Sequence, residues 1–287
     1  MHCLYHADCS DGFGAAWAVR KKFPGAAFTA VKYSDPLPPI ADNKTVHIVD
    51  FSYPPDVLVD LCRRSKEVIV YDHHKSAVEL LQAYFDEHRK PDNLTLHLDL
   101  RQSGAGITWR QLFPNTPIPW LLRYVEDNDL WRFTYPETKA VMAYVQIQPR
   151  DFAAWDFLAT QDPGSIAVIG ETLRIKEAQE VQWHLKNAQM LIELGGFIVP
   201  CCNAPRYLAN TIGEALAVDQ PFAVSYYEDK EWRYYSLRST KGVGEDVSLI
   251  AALYGGGGHP NASGFFVPKP QFTPEMHDVL RIDPPAA

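Results

Sequence analysis

Apolar runs alternate with amphipathic segments along the first hundred residues. The runs typical of strands lie at 2–6, 26–33, 44–50, 67–72 and 94–100. Between them, segments 12–23 and 54–65 have the apolar spacing of helices, and Pro54 and Pro55 after Ser52 favour a helix start. This alternation predicts an α/β fold with right-handed βαβ units and a mainly parallel sheet that has helices on both faces.

The pattern changes in the second half of the chain. Apolar side chains at mixed helical spacing extend from about Ile166 to Leu194 and stop at Gly195 and Gly196, which predicts a connecting helix with a glycine stop. Strand-like and helical runs then follow in a smaller C-terminal α/β domain, for which we expect a mixed sheet. The predicted order is an N-terminal domain over 1–165, a connecting helix over 166–194, a C-terminal domain over 195–270 and a loosely held tail over 271–287.

Polar side chains follow three of the predicted strands in the N-terminal domain. The strand at 67–72 ends in Asp72, His73 and His74, the first strand is followed by His6, Asp8 and Asp11, and a third ends at Asp50. The carboxyl ends of parallel strands meet at one edge of a sheet, where open α/β sheets bind their ligands. Two adjacent histidines at a strand end favour function over packing, because buried imidazoles without partners cost stability.

These side chains suit a metal site. Carboxylate and imidazole ligands fit Mn²⁺ or a comparable ion better than a thiolate site would. Several of these motifs also have an alternative interpretation. His6, Asp8 and Asp11 fit a turn that caps the following helix, and Asp50 fits a helix cap. A further acidic pair, Asp127 and Asp129, ends a predicted helix and fits a solvated helix end.

A second set of residues in the C-terminal domain is suited to an anion. Gly255 to Gly258 precede His259, and consecutive glycines permit backbone conformations in which N–H groups converge on an anion. Arg238 lies upstream and offers the guanidinium fork that binds phosphate. The alternative for the glycine run is a flexible surface loop.

Composition narrows the classes of protein. The 287 residues contain 27 Lys and Arg against 35 Asp and Glu, a net charge of −8, which disfavours tracking of long nucleic acid through a basic surface. Five cysteines without CxxC spacing suggest reduced thiols. The chain shows neither a secretory signal nor an apolar stretch long enough to span a bilayer, so we expect a cytoplasmic protein without a membrane partner.

The ordered motifs HADCSDGFGAA, VD at Asp50, YDHH, EDNDLW and SLRS followed by GGGGHPNASG resemble the DHH phosphoesterase superfamily with its DHH-associated C-terminal domain. The resemblance extends from His6 to about Phe266. It implies hydrolysis of phosphodiesters or phosphoanhydrides at a site with two divalent ions, Mn²⁺ first and Mg²⁺ as the alternative, in the cleft between domains. The family pattern has one residue between its first two aspartates, whereas Cys9 and Ser10 separate Asp8 from Asp11.

The resemblance also implies roles for individual residues. His6, Asp8 and Asp50 would hold one ion. The second ion would be held by Asp11, Asp50, His73 and one of Asp127 and Asp129, a choice that the spacing leaves open. His74 would contact the scissile phosphate or protonate the leaving oxygen, and Asp72 would orient the imidazoles. The phosphate clamp of the second domain would consist of Arg238, Gly256, Gly257, Gly258 and His259.

The leading hypothesis is hydrolysis of short oligonucleotides or dinucleotides to nucleoside monophosphates. One alternative is a phosphohydrolase of polyphosphate or another small phosphoanhydride, and another is a catalytically silent nucleotide-binding module. Aromatic residues of the second domain would either stack on a base or pack on the sheet: Tyr226, Tyr227, Trp232, Tyr234 and Tyr235. We expect a small phosphate-containing substrate and no long duplex, and we leave the oligomeric state open, with a homodimer as one alternative.

Overall fold

The computed structural model describes residues 1–32, 35–40, 42–269 and 280–282. The chain divides into two compact units, Met1–Arg174 and Ile175–Ala287. The first unit contains a parallel sheet and the second a mixed sheet, which confirms the predicted α/β fold class.

The sheet of the first unit has five parallel strands in the order β2-β1-β3-β4-β5. The strands are β1 (His2–His6), β2 (Ala27–Val31), β3 (Thr45–Val49), β4 (Glu67–Asp72) and β5 (Leu94–Leu98). The chain leaves β1 toward β2 and then returns to the other side of β1 at β3. Such an order has its topological switch point between β1 and β3, where the carboxyl ends of the strands open a crevice.

Helices cover both faces of this sheet, as the alternation predicts. They are α1 (Ser10–Lys22), α2 (Pro55–Arg64), α3 (Lys75–Glu87), α4 (Gly104–Leu112), α5 (Trp120–Asp129), α6 (Thr138–Ile147), α7 (Phe152–Ala159) and α8 (Pro163–Asn187). Successive strand residues point to opposite faces. Leu4 and Val70 therefore pack in the core with α2 and α3. Cys3 and Tyr71 pack in the core with α1, α4 to α7 and the start of α8.

The second unit has a sheet of seven strands in the order β10-β11-β9-β8-β7-β6-β12. The strands are β6 (Gln189–Leu194), β7 (Phe197–Asn203), β8 (Ala223–Glu228), β9 (Trp232–Arg238), β10 (Gly257–His259), β11 (Ala262–Pro268) and β12 (Leu280–Ile282). The β7–β8 and β6–β12 pairs are parallel and the other pairs are antiparallel. Two helices, α9 (Ala209–Leu216) and α10 (Val247–Ala252), and a 3₁₀ turn at Arg206–Leu208 complete the unit.

The helix expected over 166–194 is wrong at its C-terminal end. Helix α8 ends at Asn187, and the residues that follow form β6. Ile192 and Leu194 are buried, whereas Leu191 and Glu193, on either side of Ile192, are more exposed, which is the period of a strand. Gly195 and Gly196 both have positive φ and turn β6 into the antiparallel β7, so they close a hairpin rather than stop a helix.

Two other C-terminal features differ from the expectations. Part of the glycine run belongs to a strand, because Gly257–His259 pairs with β11 at the edge of the sheet. Within the expected tail over 271–287, Leu280–Ile282 pairs with β6, and the rest of the tail lies outside the described residues. Among the residues that the structure describes, no helix has the length and apolar character needed to cross a bilayer.

Candidate metal centre

Asp50 lies at the centre of a cluster of carboxylates and imidazoles at the carboxyl ends of β1, β3 and β4. Its Oδ1 is 3.1 Å from Nε2 of His73, and its Oδ2 is 3.4 Å from Nδ1 of His6. The residue is only 1% exposed. The two oxygens of one buried carboxylate therefore face two different imidazoles.

The backbone around Asp50 holds this arrangement. Asp50 has a positive φ of 63°, a conformation that Asp adopts more readily than most residues, and its N–H donates to the carbonyl of Tyr71 at 2.8 Å. Gly104 at the start of α4 passes directly beside it. A Cβ at Gly104 would lie 2.6 Å from both Cβ and Oδ1 of Asp50, so the close approach requires glycine.

Asp11 joins the cluster from the first turn of α1. Its carboxylate accepts hydrogen bonds from the N–H groups of Gly104 at 2.6 Å and Ala105 at 3.1 Å, at the N-terminus of α4. Its Oδ2 is 3.7 Å from Nε2 of His73. Burial raises the pKa of Asp11 well above its usual value, and the charges of Asp50 and Asp129 act in the same direction.

The structure separates the two aspartates at the end of α5. Asp129 points into the cluster, with Oδ2 3.5 Å from Nε2 of His73. Asp127 does not join it: its carboxylate accepts hydrogen bonds from the N–H groups of Thr134 at 2.9 Å and Tyr135 at 3.4 Å and from the Thr138 hydroxyl at 2.5 Å. Asp127 therefore holds the turn after α5 and does not face the cluster.

Asp72 and His74 form a second layer beside the cluster. Oδ1 of the fully buried Asp72 lies 2.8 Å from Nδ1 of His74 and accepts hydrogen bonds from the backbone N–H groups of His73 and His74. Burial lowers the pKa of His74, but the hydrogen bond and charge of Asp72 outweigh it and hold that pKa above its usual value. Asp72 thus orients both the imidazole of His74 and the backbone that carries His73.

Asp8 differs from its expected role as a ligand. It has a positive φ of 56°, its side chain is 63% exposed, and its Oδ2 pairs with Nζ of Lys32 at 3.3 Å. The Asp8 carboxylate therefore points away from the cluster. Sγ of Cys9 instead lies in one group with His6 and Asp50, whose potential ligand atoms are all within 4.8 Å of one another.

The cluster fits divalent cations. Oδ2 of Asp50 and Oδ2 of Asp129 are buried and accept no hydrogen bond from the residues that the structure describes. Burial raises the pKa of Asp129, and the charge of Asp50 adds to this effect. For Asp50 itself, burial would raise the pKa, but the imidazoles of His6 and His73 outweigh it and hold that pKa below its usual range. Three carboxylates and two imidazoles at such distances are the ligand set of hard-to-borderline metal ions.

The second unit has a cavity of about 460 Å³ on one face of its sheet. Arg238 and Gly257 are among its lining residues, together with Arg206, Tyr227 and Tyr234. Within the described part of the chain, Arg238 has no carboxylate partner within ion-pair distance. Its guanidinium donates to the carbonyl of Leu237 and the side-chain carbonyl of Asn210.

The remaining residues of the expected phosphate clamp do not line this cavity. A Cβ at Gly256 would lie 2.2 Å from the carbonyl oxygen of Gly264, and one at Gly258 would lie 2.6 Å from that of Ala262. These two glycines are thus required by the close pairing with β11. His259 is exposed at the end of β10.

Some aromatic residues of this unit pack in the core, and others are placed where they could stack on a base. Tyr235 packs in the core and Tyr226 packs against it. Tyr227 and Tyr234 stack on each other with ring centroids 4.9 Å apart and line the cavity, on the opposite face of the sheet. Trp232 packs edge-on against Phe266 at 5.2 Å.

The comparisons with known proteins agree with this architecture. No protein-family model matches the chain. The pGpG-specific phosphodiesterase PggH from Vibrio cholerae, a DHH-family protein, aligns with a TM-score of 0.55 and 13% identity over 93% of each chain. The chain has the DHH fold. The identity is too low for this likeness to show more than the fold.

Two further proteins are similar to this chain. Protein R106 of Acanthamoeba polyphaga mimivirus, which is uncharacterized, is 32% identical over 297 residues, covering 91% of this chain and 66% of the viral protein. RecJ from Thermus thermophilus, in complex with Mn²⁺, aligns over 92% of this chain and 49% of RecJ with 14% identity and a TM-score of 0.41. The likeness to RecJ is too weak to support a conclusion.

Sequence reasoning missed the residues that support this DHH-fold site from α4 and α5. Glu126 accepts hydrogen bonds from the backbone N–H of Ser103 at 3.2 Å and from both guanidinium nitrogens of Arg110 at 2.8 Å. A Cβ at Gly106 would collide with Glu126 Oε2, since the two atoms would lie 1.7 Å apart. The available signal was the pair Gly104 and Gly106 within one helical turn, because glycine in a helix costs stability and marks a close approach.

Proposed function

We propose that this protein is a metal-dependent phosphoesterase that hydrolyses phosphodiester bonds of short oligonucleotides or dinucleotides to nucleoside monophosphates. The observation that carries the proposal is the position of Asp50, a buried carboxylate whose two oxygens face His73 and His6 separately. Such a carboxylate is suited to bridge two cations. Fixed donors on both sides of it match the requirements of a two-metal centre.

These distances support two ligand sets. Asp50 and His6 would hold one ion, and Asp50, Asp11, His73 and Asp129 would hold the other. Bound there, Mn²⁺ ions, or Mg²⁺ as the alternative, would supply Lewis acidity toward the phosphate and lower the pKa of an attacking water.

The protein's own residues would position the substrate and transfer the proton. Asp72 fixes Nδ1 of His74, so Nε2 of His74 would donate a proton to the leaving oxygen. The raised pKa of His74 suits a general acid, because it increases the protonated fraction near neutral pH. Asp72 would act as a positioning residue that sets the tautomer and the ring orientation.

The cavity of the second unit would bind a nucleotide through its phosphate and its base. Arg238 would pair with a phosphate, and the stacked Tyr227 and Tyr234 would contact a base. Gly257 lines the same cavity, whereas we assign Gly256, Gly258 and His259 a supporting role at the strand edge. The likeness to a pGpG-specific phosphodiesterase supports a substrate of dinucleotide size.

A panel of substrates tests the proposal. The Mn²⁺-loaded protein would be incubated with a linear dinucleotide, a five-nucleotide RNA, a cyclic dinucleotide, 3′-phosphoadenosine 5′-phosphate and tripolyphosphate. We expect the fastest release of product from the linear dinucleotide or the short RNA, and loss of that turnover in Asp72→Ala and His73→Ala. Fastest turnover of tripolyphosphate would favour the polyphosphate alternative, and binding of the nucleotides without metal-dependent turnover would favour the silent module.

A further inference from the structure

Cys9 occupies the position beside His6 that the resemblance assigned to an aspartate. It is the N-cap residue of α1, directly after β1, and its Sγ groups with the imidazole of His6 and the carboxylate of Asp50. The other four cysteines are buried in the cores of the two units, whereas Cys9 is partly exposed. The sulfur therefore lies at the crevice and not in the packing of a core.

A second observation at the same place points to a ligand. Asp50 is 1% exposed, and within the described part of the chain its Oδ2 accepts no hydrogen bond, since Nδ1 of His6, which it faces, is 3.4 Å away. A buried carboxylate oxygen without a donor is costly unless a cation compensates it. Since Asp8 turns away to Lys32, the third protein donor available on this side is the sulfur of Cys9.

We infer that Cys9 is a ligand of the ion held by His6 and Asp50, and that this position prefers a borderline ion such as Zn²⁺, Co²⁺ or Fe²⁺ to Mn²⁺. The inference deepens the proposed function, because it rests on an ion being bound there. As the sulfur–metal bond forms, the thiol releases its proton to solvent. A thiolate, an imidazole and a carboxylate form a softer set than Asp11, His73 and Asp129, which offer only oxygen and nitrogen.

The position of Cys9 also suits a thiolate once a metal is present. Burial raises the pKa of the Cys9 thiol, and the charges of Asp50 and Asp11 act in the same direction, while the backbone N–H groups of Asp11 and Gly12 oppose them. A bound cation would offset those carboxylate charges, and N–H groups at the start of a helix favour an anionic sulfur. The two positions of the centre would thus select different ions.

Titration of the metal-free full-length protein with Co²⁺ under reducing, oxygen-free conditions tests the assignment. Visible d–d absorption reports that Co²⁺ is bound, and a sulfur-to-cobalt charge-transfer band in the near ultraviolet reports a thiolate ligand. We expect both features in the unaltered protein. In Cys9→Ser the charge-transfer band should be lost while d–d absorption from the oxygen and nitrogen position persists, and in Asp8→Asn both should remain.

The outcomes separate this inference from the proposed function. Bound Co²⁺ with d–d absorption but no charge-transfer band would overturn the role of Cys9 and leave the metal-dependent phosphoesterase intact. A band that persists in Cys9→Ser would assign it to another cysteine and also overturn the inference. Absence of Co²⁺ binding would contradict both. Circular dichroism of Cys9→Ser verifies that the variant is folded.

Discussion

The candidate metal centre of the first unit and the cavity of the second unit differ in the charge and burial of their side chains. In the first unit, Asp11 and Asp50 are 1% exposed and share one imidazole, that of His73. In the second unit, Arg238 lies in a half-exposed position and contacts neutral groups. Buried like charges are stable only with a counter-charge, whereas a partly hydrated guanidinium tolerates an open cavity.

This difference indicates a division of tasks. The strand ends and tight glycine contacts of the first unit place donors to within a narrow range, as chemistry on a phosphate requires. The second unit presents a cationic and aromatic surface, which suits recognition of a nucleotide. Substitutions in the first unit should therefore reduce the rate, and substitutions in the second should weaken binding.

The largest effect on activity is expected from Asp129, with Asp127 in the same helix as its control. Asp129→Asn should lower kcat at least ~10²-fold, because disturbing even the outer partners of metal ligands costs roughly 10- to 100-fold. Asp127→Asn should keep the activity but lower the free energy of unfolding by about 1–2 kcal/mol, since it weakens hydrogen bonds to Thr134 and Thr138. Steady-state kinetics and urea unfolding measure the two effects. The reverse pattern would exclude Asp129 as the ligand.

A smaller effect, on KM, is expected in the second unit. Arg238→Ala should remove a charge-assisted hydrogen bond to phosphate worth about 1.5–3 kcal/mol, which raises KM for a dinucleotide roughly 10- to 100-fold with little change in kcat. Lys241→Ala, which removes an exposed positive charge from the same unit, serves as the control and should leave KM unchanged. An equal rise in KM for both variants would reduce the role of Arg238 to general electrostatic attraction.

The smallest expected effect concerns stability at acid pH. His47 in β3 is 1% exposed, neither ring nitrogen has a hydrogen-bond partner among the described residues, and burial lowers its pKa to about 4. Below a pH of about 6.5 the unfolded chain binds a proton at this residue and the native state does not, so stability falls as the pH drops toward 4. From pH 7 to pH 5 the loss should be about 2 kcal/mol.

The substitution His47→Leu should remove that loss, measured as the difference between urea unfolding free energies at pH 7 and pH 5. His88→Gln at an exposed position serves as the control and should keep the loss. An unchanged pH dependence in His47→Leu would assign the acid sensitivity to other groups, such as the carboxylate cluster.

Local sequence patterns were sufficient to predict the parallel sheet and the sheet edge that carries the candidate metal ligands. The alternation of strands and helices placed the ends of β1, β3 and β4 side by side, because parallel pairing brings their carboxyl ends together. His6, Asp50 and His73 could therefore be predicted as neighbours.

Residues in turns and at helix ends could not be predicted in this way. Asp8 and Asp50 both have positive φ, yet one points to solvent and the other into the cluster. Asp127 and Asp129 are two residues apart, and Asp127 differs because it accepts hydrogen bonds from the turn that follows α5. The hairpin at Gly195 and Gly196 was mistaken for a helix end, because glycine serves both purposes and only the pairing partner decides.

The amino-acid sequence by itself determined the α/β class and the polar residues that follow the strands, because strands and helices show short-range periodicity. It also determined which residue types are available to bind a metal. Only the tertiary structure decided that the sulfur of Cys9, and not the Asp8 carboxylate, lies beside His6 and Asp50, that Asp129 and not Asp127 faces the cluster, and that Gly104 permits the approach of α4 to Asp50. Each of these depends on contacts between segments distant in the chain, where a backbone torsion or a missing Cβ decides which atoms meet.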